Sequence, residues 1–362
     1  MKRHLPILLL LVLLGCQSEK EKPAVQVEEV KNTPQVAFKD TFVTQDEHFN
    51  KAYNEIAHML EGKLPLDFKR AVFLTEWSYS EGMLDYDKYC HDIAATAQTL
   101  KAFIEEKGVG QYKTAGNFAL YEFFTRPSKL NGNLPYTYDF NDFTGKKDWR
   151  QTFVSKLMET HKGNCRSLPY YYKILAEEMK TEAFLAIAPN HIYIKHLDEQ
   201  GKWVNVELTN GHFSSDAWMI SSSGISAEAI QNGIYMEALD LKKSVAYCLT
   251  ELAIGYQRKY DYDEFGLLCC DKTLEYFPKS IHTLMQKHNI MRSVGMKRVE
   301  KFKGKKPTPK MIAWHEEFKR NETLIESLGY REMPPDKYEQ WLKSMEQEKS
   351  KQLSNNSITS SR

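Results

Sequence analysis

The chain has 362 residues, of which 42% are hydrophobic and 27% are charged. This length accommodates two domains with a sizeable core, and the 20 tyrosines argue for a folded protein. The formal net charge of +1 gives no reason to expect a nucleic acid or an acidic polymer as a partner.

Residues 1–15 have the composition of a signal peptide. Lys2 and Arg3 precede an apolar run that is too short for a permanent membrane-spanning helix. The run ends in Leu13-Leu14-Gly15-Cys16, which resembles the lipobox of bacterial lipoproteins. The resemblance implies cleavage before Cys16, lipidation of Cys16 and a place at the outer membrane, on its periplasmic or its surface-exposed face. An ordinary secretion signal with an incidental cysteine is the alternative.

The next two segments differ in hydrophobic pattern. Residues 16–45 carry many charges and few large apolar side chains, so we expect a disordered tether. Residues 46–160 show mainly helical spacing of apolar residues, which predicts an N-terminal helical segment. The expected helices begin near 46 and cover 68–79, 87–106, 114–124 and 149–160. Residues 125–148 interleave aromatic and polar side chains, and we expect a loop or a short strand that covers a cleft.

A helix start follows at Gly163-Asn164-Cys165. Gly163 interrupts the preceding element, Asn164 is a good N-cap, and residues 170–179 have helical periodicity. Cys165 is therefore expected at or near a helix N-terminus, where free N–H groups and the helix dipole stabilise a thiolate or an oxyanion. Pro169 lacks an N–H group, so we expect an irregular first turn or a helix that starts a few residues after Cys165.

Three strands are expected after this helix. Residues 183–187 form the first, His191 opens the second after a break at Pro189, and Trp203, Asn205 and Glu207 share one face of the third. The short turn at 198–201 makes the last two strands a hairpin, which can place His191 close to Glu207. A thiol, an imidazole and a carboxylate in this order are the groups of a cysteine nucleophile, its base and the residue that orients the base.

The order Cys at a helix start, His at a strand start and Trp-x-x-x-acid-x-Thr in the next strand resembles the transglutaminase-like superfamily, whose members are cysteine enzymes with a papain-like site. The resemblance is specific over residues 160–212. It implies Cys165 as nucleophile, His191 as base and Glu207 as orienting acid. Animal transglutaminases usually have Asp at the third position, whereas this chain has Glu207. No upstream residue could be matched to an oxyanion-hole side chain.

The implied fold is α+β, with a Cys-bearing helix on a small antiparallel sheet over residues 161–235. Within it, residues 210–232 are rich in Ser and Gly and are expected to be a connector that closes over one side of the cleft or only links elements. Helical patterns follow over 236–350, in two pairs at 239–277 and 281–328 and a last helix from 335 to about 349. The first pair resembles a tetratricopeptide repeat (TPR) and implies TPR-like helical hairpins that flank the core. Residues 351–362 are expected to be a disordered tail.

We expect the remaining cysteines and histidines to lie outside the catalytic group. Cys90, Cys248, Cys269 and Cys270 fall in helical patterns and are expected in the core, and their spacing argues against a disulfide framework. No zinc-binding motif and no phosphate-binding loop is present, so no metal or cofactor is expected. Other candidates for the base are His161, His196 and His212, but none of them opens a strand after a break.

Two functions remain open from the sequence. The first is a membrane-anchored cysteine hydrolase or acyl-transferase that acts on an amide or peptide through Cys165, His191 and Glu207. The second is a catalytically inert platform whose C-terminal helices bind a protein partner. The sequence does not choose between hydrolysis and transamidation, and it does not name the peptide or protein substrate.

We expect replacement of Cys16 by serine to release the protein from membranes, because the acyl chains attach to this thiol and to the amino group that cleavage exposes. Fractionation of cells that express the wild type or Cys16→Ser tests this expectation. The wild type should sediment with membranes and the variant should not be retained there as a mature lipoprotein. Equal recovery of both in the soluble fraction would rule out lipid anchoring.

Overall fold

The structure is a computed structural model that describes residues 44–302, 306–333 and 335–359. Cys16, the signal peptide and nearly all of the expected tether lie outside the described residues. All described residues belong to one compact unit, and its class is α+β.

Four α-helices precede the first strand of the described chain, and the first three begin at aspartate caps. Asp46, Asp67 and Asp85 each accept hydrogen bonds from N–H groups in the first helical turn, which satisfies donors that lack helical partners. The helices bury the apolar faces that their periodicity predicts. They are α1 (Glu47–Leu60), α2 (Phe68–Tyr79), α3 (Tyr86–Lys107) and α4 (Ala115–Thr125).

The segment between α4 and the candidate nucleophile contains two short strands, two 3-10 helices and one α-helix. Strand β1 (Thr137–Tyr138) pairs in parallel with β2 (Lys162–Gly163), which confirms a short strand within residues 125–148. The expectation of a single helix over 149–160 was wrong. A 3-10 helix ends at Thr152, and α5 (Val154–Thr160) starts anew because the buried Glu76 carboxylate accepts hydrogen bonds from the N–H groups of Val154 and Ser155, at 2.6 and 3.0 Å.

Helix α6 (Ser167–Glu178) packs on a four-stranded antiparallel sheet. The strands follow chain order and are β3 (Phe184–Ala188), β4 (His191–Leu197), β5 (Trp203–Glu207) and β6 (His212–Ser214). Ala188 pairs with His191 across the first turn, and Ile194 pairs with Val206 in the second hairpin. The three strands expected from the sequence are present, and β6 is an additional one.

The Ser- and Gly-rich stretch over 210–232 is more regular than a connector. Besides β6 it forms α7 (Asp216–Ser223) and α8 (Ala227–Gln231). The side chains of Ser215 and Ser226 accept hydrogen bonds from N–H groups in these helices, so serines that read as loop residues are helix caps.

Five helices complete the described chain. They are α9 (Leu241–Tyr260), α10 (Glu264–Tyr276), α11 (Ile281–Lys301), α12 (Pro309–Ser327) and α13 (Pro335–Thr359). The last helix continues to Thr359 although disorder was expected from residue 351. Its Lys349 and Gln352 side chains donate hydrogen bonds to Asn141 Oδ1 and to the Tyr138 carbonyl, at 3.0 and 3.3 Å. No helix in the described ranges combines the length and the apolar character needed to cross a membrane.

The hydrophobic core continues from the N-terminal helices into the C-terminal ones. Helix α9 packs against α1, α2 and α10. The fully buried ring of Phe49 in α1 meets the rings of Tyr256 and Phe265 edge-on, with centroids 5.2 and 6.1 Å apart. The helices before and after the sheet are therefore held together by shared aromatic packing.

Removal of the Phe49 side chain should destabilise the whole fold. We expect Phe49→Ala to cost about 3–5 kcal/mol of unfolding free energy, because the ring is fully buried and leaves a cavity between α1, α9 and α10. Urea unfolding followed by circular dichroism measures this cost. Met83→Ala is the control, since Met83 is 79% exposed, and it should change stability little. A small effect of Phe49→Ala would show that this contact does not join the helices.

Candidate active site

The backbone that presents Cys165 is fixed by Asn164. The buried Asn164 Oδ1 accepts hydrogen bonds from the N–H groups of Arg166 and Ser167, at 2.9 and 3.2 Å, and its Nδ2 donates to the Phe143 carbonyl at 2.9 Å. Gly163 must lack a side chain, because a Cβ atom there would lie 2.5 Å from Ser167 Oγ. Cys165 is consequently held two residues before α6 begins at Ser167.

Pro169 does not disturb this arrangement. It is the third residue of α6, and N–H groups in the first turn of a helix have no helical carbonyl to bind. The missing donor therefore costs little at this position. The structure has the second of the two geometries that the sequence left open, a helix that starts a short distance after the cysteine.

His191 and Glu207 meet across the hairpin of β4 and β5. Asn190, with φ of 57°, completes the tight turn before His191, and this left-handed conformation suits asparagine. The His191 imidazole Nε2 donates a hydrogen bond to Glu207 Oε2 at 2.6 Å. Glu207 is 5% exposed, and its Oε1 accepts a second hydrogen bond from the N–H group of Thr209 at 3.1 Å. The two strands thus hold the imidazole and the carboxylate in one orientation.

The imidazole of His191 also lies within hydrogen-bond reach of the Cys165 thiol. Because Nε2 is bonded to Glu207, Nδ1 is the ring nitrogen left for the sulfur. The sulfur is additionally 4.0 Å from the carbonyl oxygen of Asn190. The structure therefore brings together all three residues that the sequence singled out.

Electrostatics at the site favour a charged thiol and imidazole. Burial acts to raise the pKa of Cys165, but the hydrogen bond and positive charge of His191 outweigh it and lower the pKa. Burial acts to lower the pKa of His191, yet the Glu207 charge and the thiol contact raise it to about 10. Burial opposes the ionisation of Glu207, but its pKa is lowered because His191 stabilises the carboxylate. All three directions favour the pairing of a thiolate with an imidazolium.

Tyr138 is a further site residue that sequence reasoning did not single out. The parallel pairing of β1 with β2 places Tyr138 opposite Gly163, two residues before Cys165. Its buried hydroxyl faces both the thiol and the backbone N–H of Cys165. Burial and the neighbouring Cys165 raise the pKa of Tyr138 well above its ordinary value, so the phenol keeps its proton. The aromatic cluster within residues 125–148 was the signal that could have found it.

A narrow slot adjoins the thiol, but it is too tight to hold a water molecule. The start of α6 forms one wall, and β4 and the end of β5 form the other. The residues that line it beside Cys165 and Glu207 are mostly apolar, and they include Leu168, Pro169, Ile192 and Leu208. A substrate could reach the thiol through this slot only if its two walls separate.

The other three candidates for the base make their contacts elsewhere. His161 Nδ1 is 2.6 Å from the Leu134 carbonyl oxygen, His196 Nδ1 is 3.0 Å from the Leu197 carbonyl oxygen, and His212 is exposed on β6. They make no contact with Cys165 that would let them serve as its base.

The five described cysteines are free thiols. Cys248, Cys269 and Cys270 are buried as expected, and burial raises the pKa of each. Cys90 is partly exposed, so the expectation that it belongs to the core was wrong. It lies near the start of α3, and the buried residues of this helix are Tyr89, Ile93, Ala97 and Leu100.

Over the described ranges, no group of three or more His, Cys, Asp or Glu side chains is arranged to hold a metal ion. No family model, curated protein or solved structure matches the chain.

Loss of the imidazole should raise the pKa of the Cys165 thiol. His191→Ala removes the hydrogen bond and the charge that stabilise the thiolate, so the midpoint of alkylation rate against pH should move up toward the ordinary thiol value of about 8.5. Glu207→Gln should shift the midpoint less, because Glu207 acts through the imidazole. Peptide mapping after iodoacetamide treatment assigns the reaction to Cys165.

His212→Ala is the matched control for this experiment. His212 pairs with Glu207 in the sheet register but is exposed and does not contact the thiol, so its loss should leave the midpoint in place. An ordinary titration of Cys165 in the wild type, unchanged in His191→Ala, would show that the imidazole does not act on the sulfur.

Proposed function

We propose that the chain is a cysteine amidase or acyl-transferase with a transglutaminase-like core. The carrying observation is the contact of the Cys165 thiol with an imidazole that donates a 2.6 Å hydrogen bond to the buried Glu207 carboxylate. A thiol that serves only as a small buried hydrophobe needs neither an imidazole partner nor a carboxylate that orients this partner. The cysteine before a helix and the His and Glu on an antiparallel hairpin support the proposed core.

The first chemical step is acylation of the thiol. The Cys165 sulfur attacks the carbonyl carbon of an amide, a C–S bond forms, and the carbonyl electrons move onto oxygen. When the tetrahedral intermediate collapses, the C–N bond breaks and the His191 imidazolium gives its proton to the leaving amine. Glu207 remains ionised and holds the ring in the orientation that this transfer needs.

The second step resolves the thioester. The now neutral His191 takes a proton from water or from an amine, which attacks the carbonyl carbon, and the C–S bond breaks. Water gives a carboxylic acid and completes hydrolysis, whereas an amine gives a new amide and completes acyl transfer. The partial exposure of Cys165 and His191 leaves either nucleophile a path to the thioester.

Charge on the carbonyl oxygen needs hydrogen-bond donors during both steps. The backbone N–H of Cys165 and the Tyr138 hydroxyl face each other beside the sulfur. Since Tyr138 retains its proton, both groups can donate to an oxyanion that binds within reach of both donors. Tyr138 is therefore the proposed oxyanion-hole side chain, and residues 125–148 contribute to the site through it.

The same proposal extends to location and substrate class. If Cys16 carries acyl chains, the enzyme works at a membrane of the cell envelope, where peptides and proteins of that compartment are the available amides. The mostly apolar lining of the slot beside the sulfur favours an acyl donor with an apolar portion next to the reacting carbonyl, and the slot must widen to admit it.

We expect Cys165→Ser to abolish formation of a covalent acyl-enzyme. Incubation of the folded protein with an activated ester such as p-nitrophenyl acetate, followed by intact-mass measurement and peptide mapping, should locate one acetyl group on Cys165. Tyr138→Phe should slow acylation by about 10²-fold, because one oxyanion donor is lost. Cys90→Ser is the control for a partly exposed thiol outside the site and should acylate like the wild type. Acylation that persists in Cys165→Ser would favour the inert-platform function.

A further inference from the structure

An ion pair adjoins the candidate nucleophile. Arg166 follows Cys165 directly, and its Nη1 is 3.2 Å from Glu251 Oε2 on α9. The Glu251 side chain is 7% exposed and that of Arg166 is 24% exposed, so the pair is largely withdrawn from solvent. The guanidinium carbon also lies 4.8 Å from the centre of the Trp149 ring. A carboxylate on α9 and an indole ring therefore hold Arg166 beside the site.

The tyrosine, cysteine and histidine side chains around this pair are neutral near pH 7, and the charged Arg258 lies over the same Trp149 ring as Arg166. Burial raises the pKa of Tyr170, Tyr247 and Cys248 well above the ordinary values, and burial lowers the pKa of His282 to about 4. Toward the sulfur itself, His191, Glu207 and Tyr138 are the titratable groups from the neighbouring strands. Arg166 and Glu251 form the charged pair on this side of the thiol. Burial raises the pKa of the Glu251 carboxyl, and the Arg166 charge opposes that rise.

The two members of the pair act on the sulfur unequally. Arg166 is the adjacent residue, and its positive charge acts directly on the Cys165 thiol. Glu251 is bound to the guanidinium and reaches the thiol by way of it. In a buried setting of low effective dielectric constant, the nearer charge dominates and the farther charge offsets part of its effect.

We propose that Arg166 and Glu251 are positioning residues that set the charge state of Cys165, Arg166 by favouring the thiolate and Glu251 by restraining and partly neutralising Arg166. Helix α9 would then belong to the functional unit rather than to a separate flank. This inference rests on the proposed function, since it concerns the same thiol.

The opposite signs of the two charges provide the test. In the full chain, Arg166→Gln should move the alkylation midpoint of Cys165 upward by about half a pH unit, because a stabilising positive charge is lost. Glu251→Gln should move it downward, because the guanidinium is no longer partly neutralised. Arg166→Lys keeps the charge and should restore most of the wild-type midpoint. A pair with only a structural role would shift the midpoint in the same direction when either member is replaced.

Arg258→Gln is the matched control. Its guanidinium carbon lies 5.3 Å from the centre of the same Trp149 ring, but it is exposed and does not contact Glu251, so its loss should leave the midpoint unchanged. Thermal melts of all variants establish that each is folded at the temperature of the assay.

Glu251→Gln decides the matter even if Arg166→Gln does not fold. A downward shift supports the inference, and an unchanged or upward midpoint overturns it. The two proposals fail in different ways. If the alkylation midpoint of Cys165 shifts in His191→Ala but not in Glu251→Gln, the proposed function is supported and the role of the Arg166–Glu251 pair is refuted. If Cys165 ignores His191→Ala as well, the proposed function falls with it.

Discussion

The hydrogen bond between His191 and Glu207 is the constraint on which the candidate site depends. A carboxylate that is only 5% exposed is costly to bury unless it is paired and hydrogen-bonded, and Glu207 obtains both from the imidazole and from the N–H of Thr209. The contact requires one register between β4 and β5. A slip of one residue would turn Glu207 to the opposite face of the sheet and leave its charge without a partner.

The remainder of the site is assembled around this pair from separate parts of the chain. The chain just before α6 carries the thiol in a turn that the Asn164 side chain fixes, although the N-cap is Arg166 and not Asn164 as the sequence suggested. The parallel pairing of β1 with β2 brings Tyr138 to the thiol. Helix α9 delivers Glu251. Because α9 also shares the core with α1 and α2, helices that come before and after the sheet in the chain support the geometry of one small polar cluster. Burial of these polar groups costs folding free energy, so a catalytic role explains them better than a contribution to stability does.

Local patterns carried the predictions that succeeded. The periodicity of residues 68–79 gave a helix with the observed bounds, and the short turn and shared faces of the hairpin placed His191 near Glu207. Non-local contacts account for most of what was missed. The break before α5 depends on Glu76, which lies 78 residues earlier in the chain. Tyr138 reaches the thiol through a pairing of two-residue strands, which is too short to leave a pattern in the sequence.

The ionic state of His191 tests the central claim most directly. Nitrogen chemical shifts of the imidazole, followed by NMR against pH in isotopically labelled protein, report whether the ring carries one or two protons. The thiolate–imidazolium pair predicts a doubly protonated ring at pH 7 in the wild type, because the charge of Glu207 and the thiolate raise its pKa. In Cys165→Ser the ring should lose its second proton at lower pH, since the thiolate is absent. A neutral wild-type imidazole at pH 7, with a titration that Cys165→Ser leaves unchanged, would contradict the account.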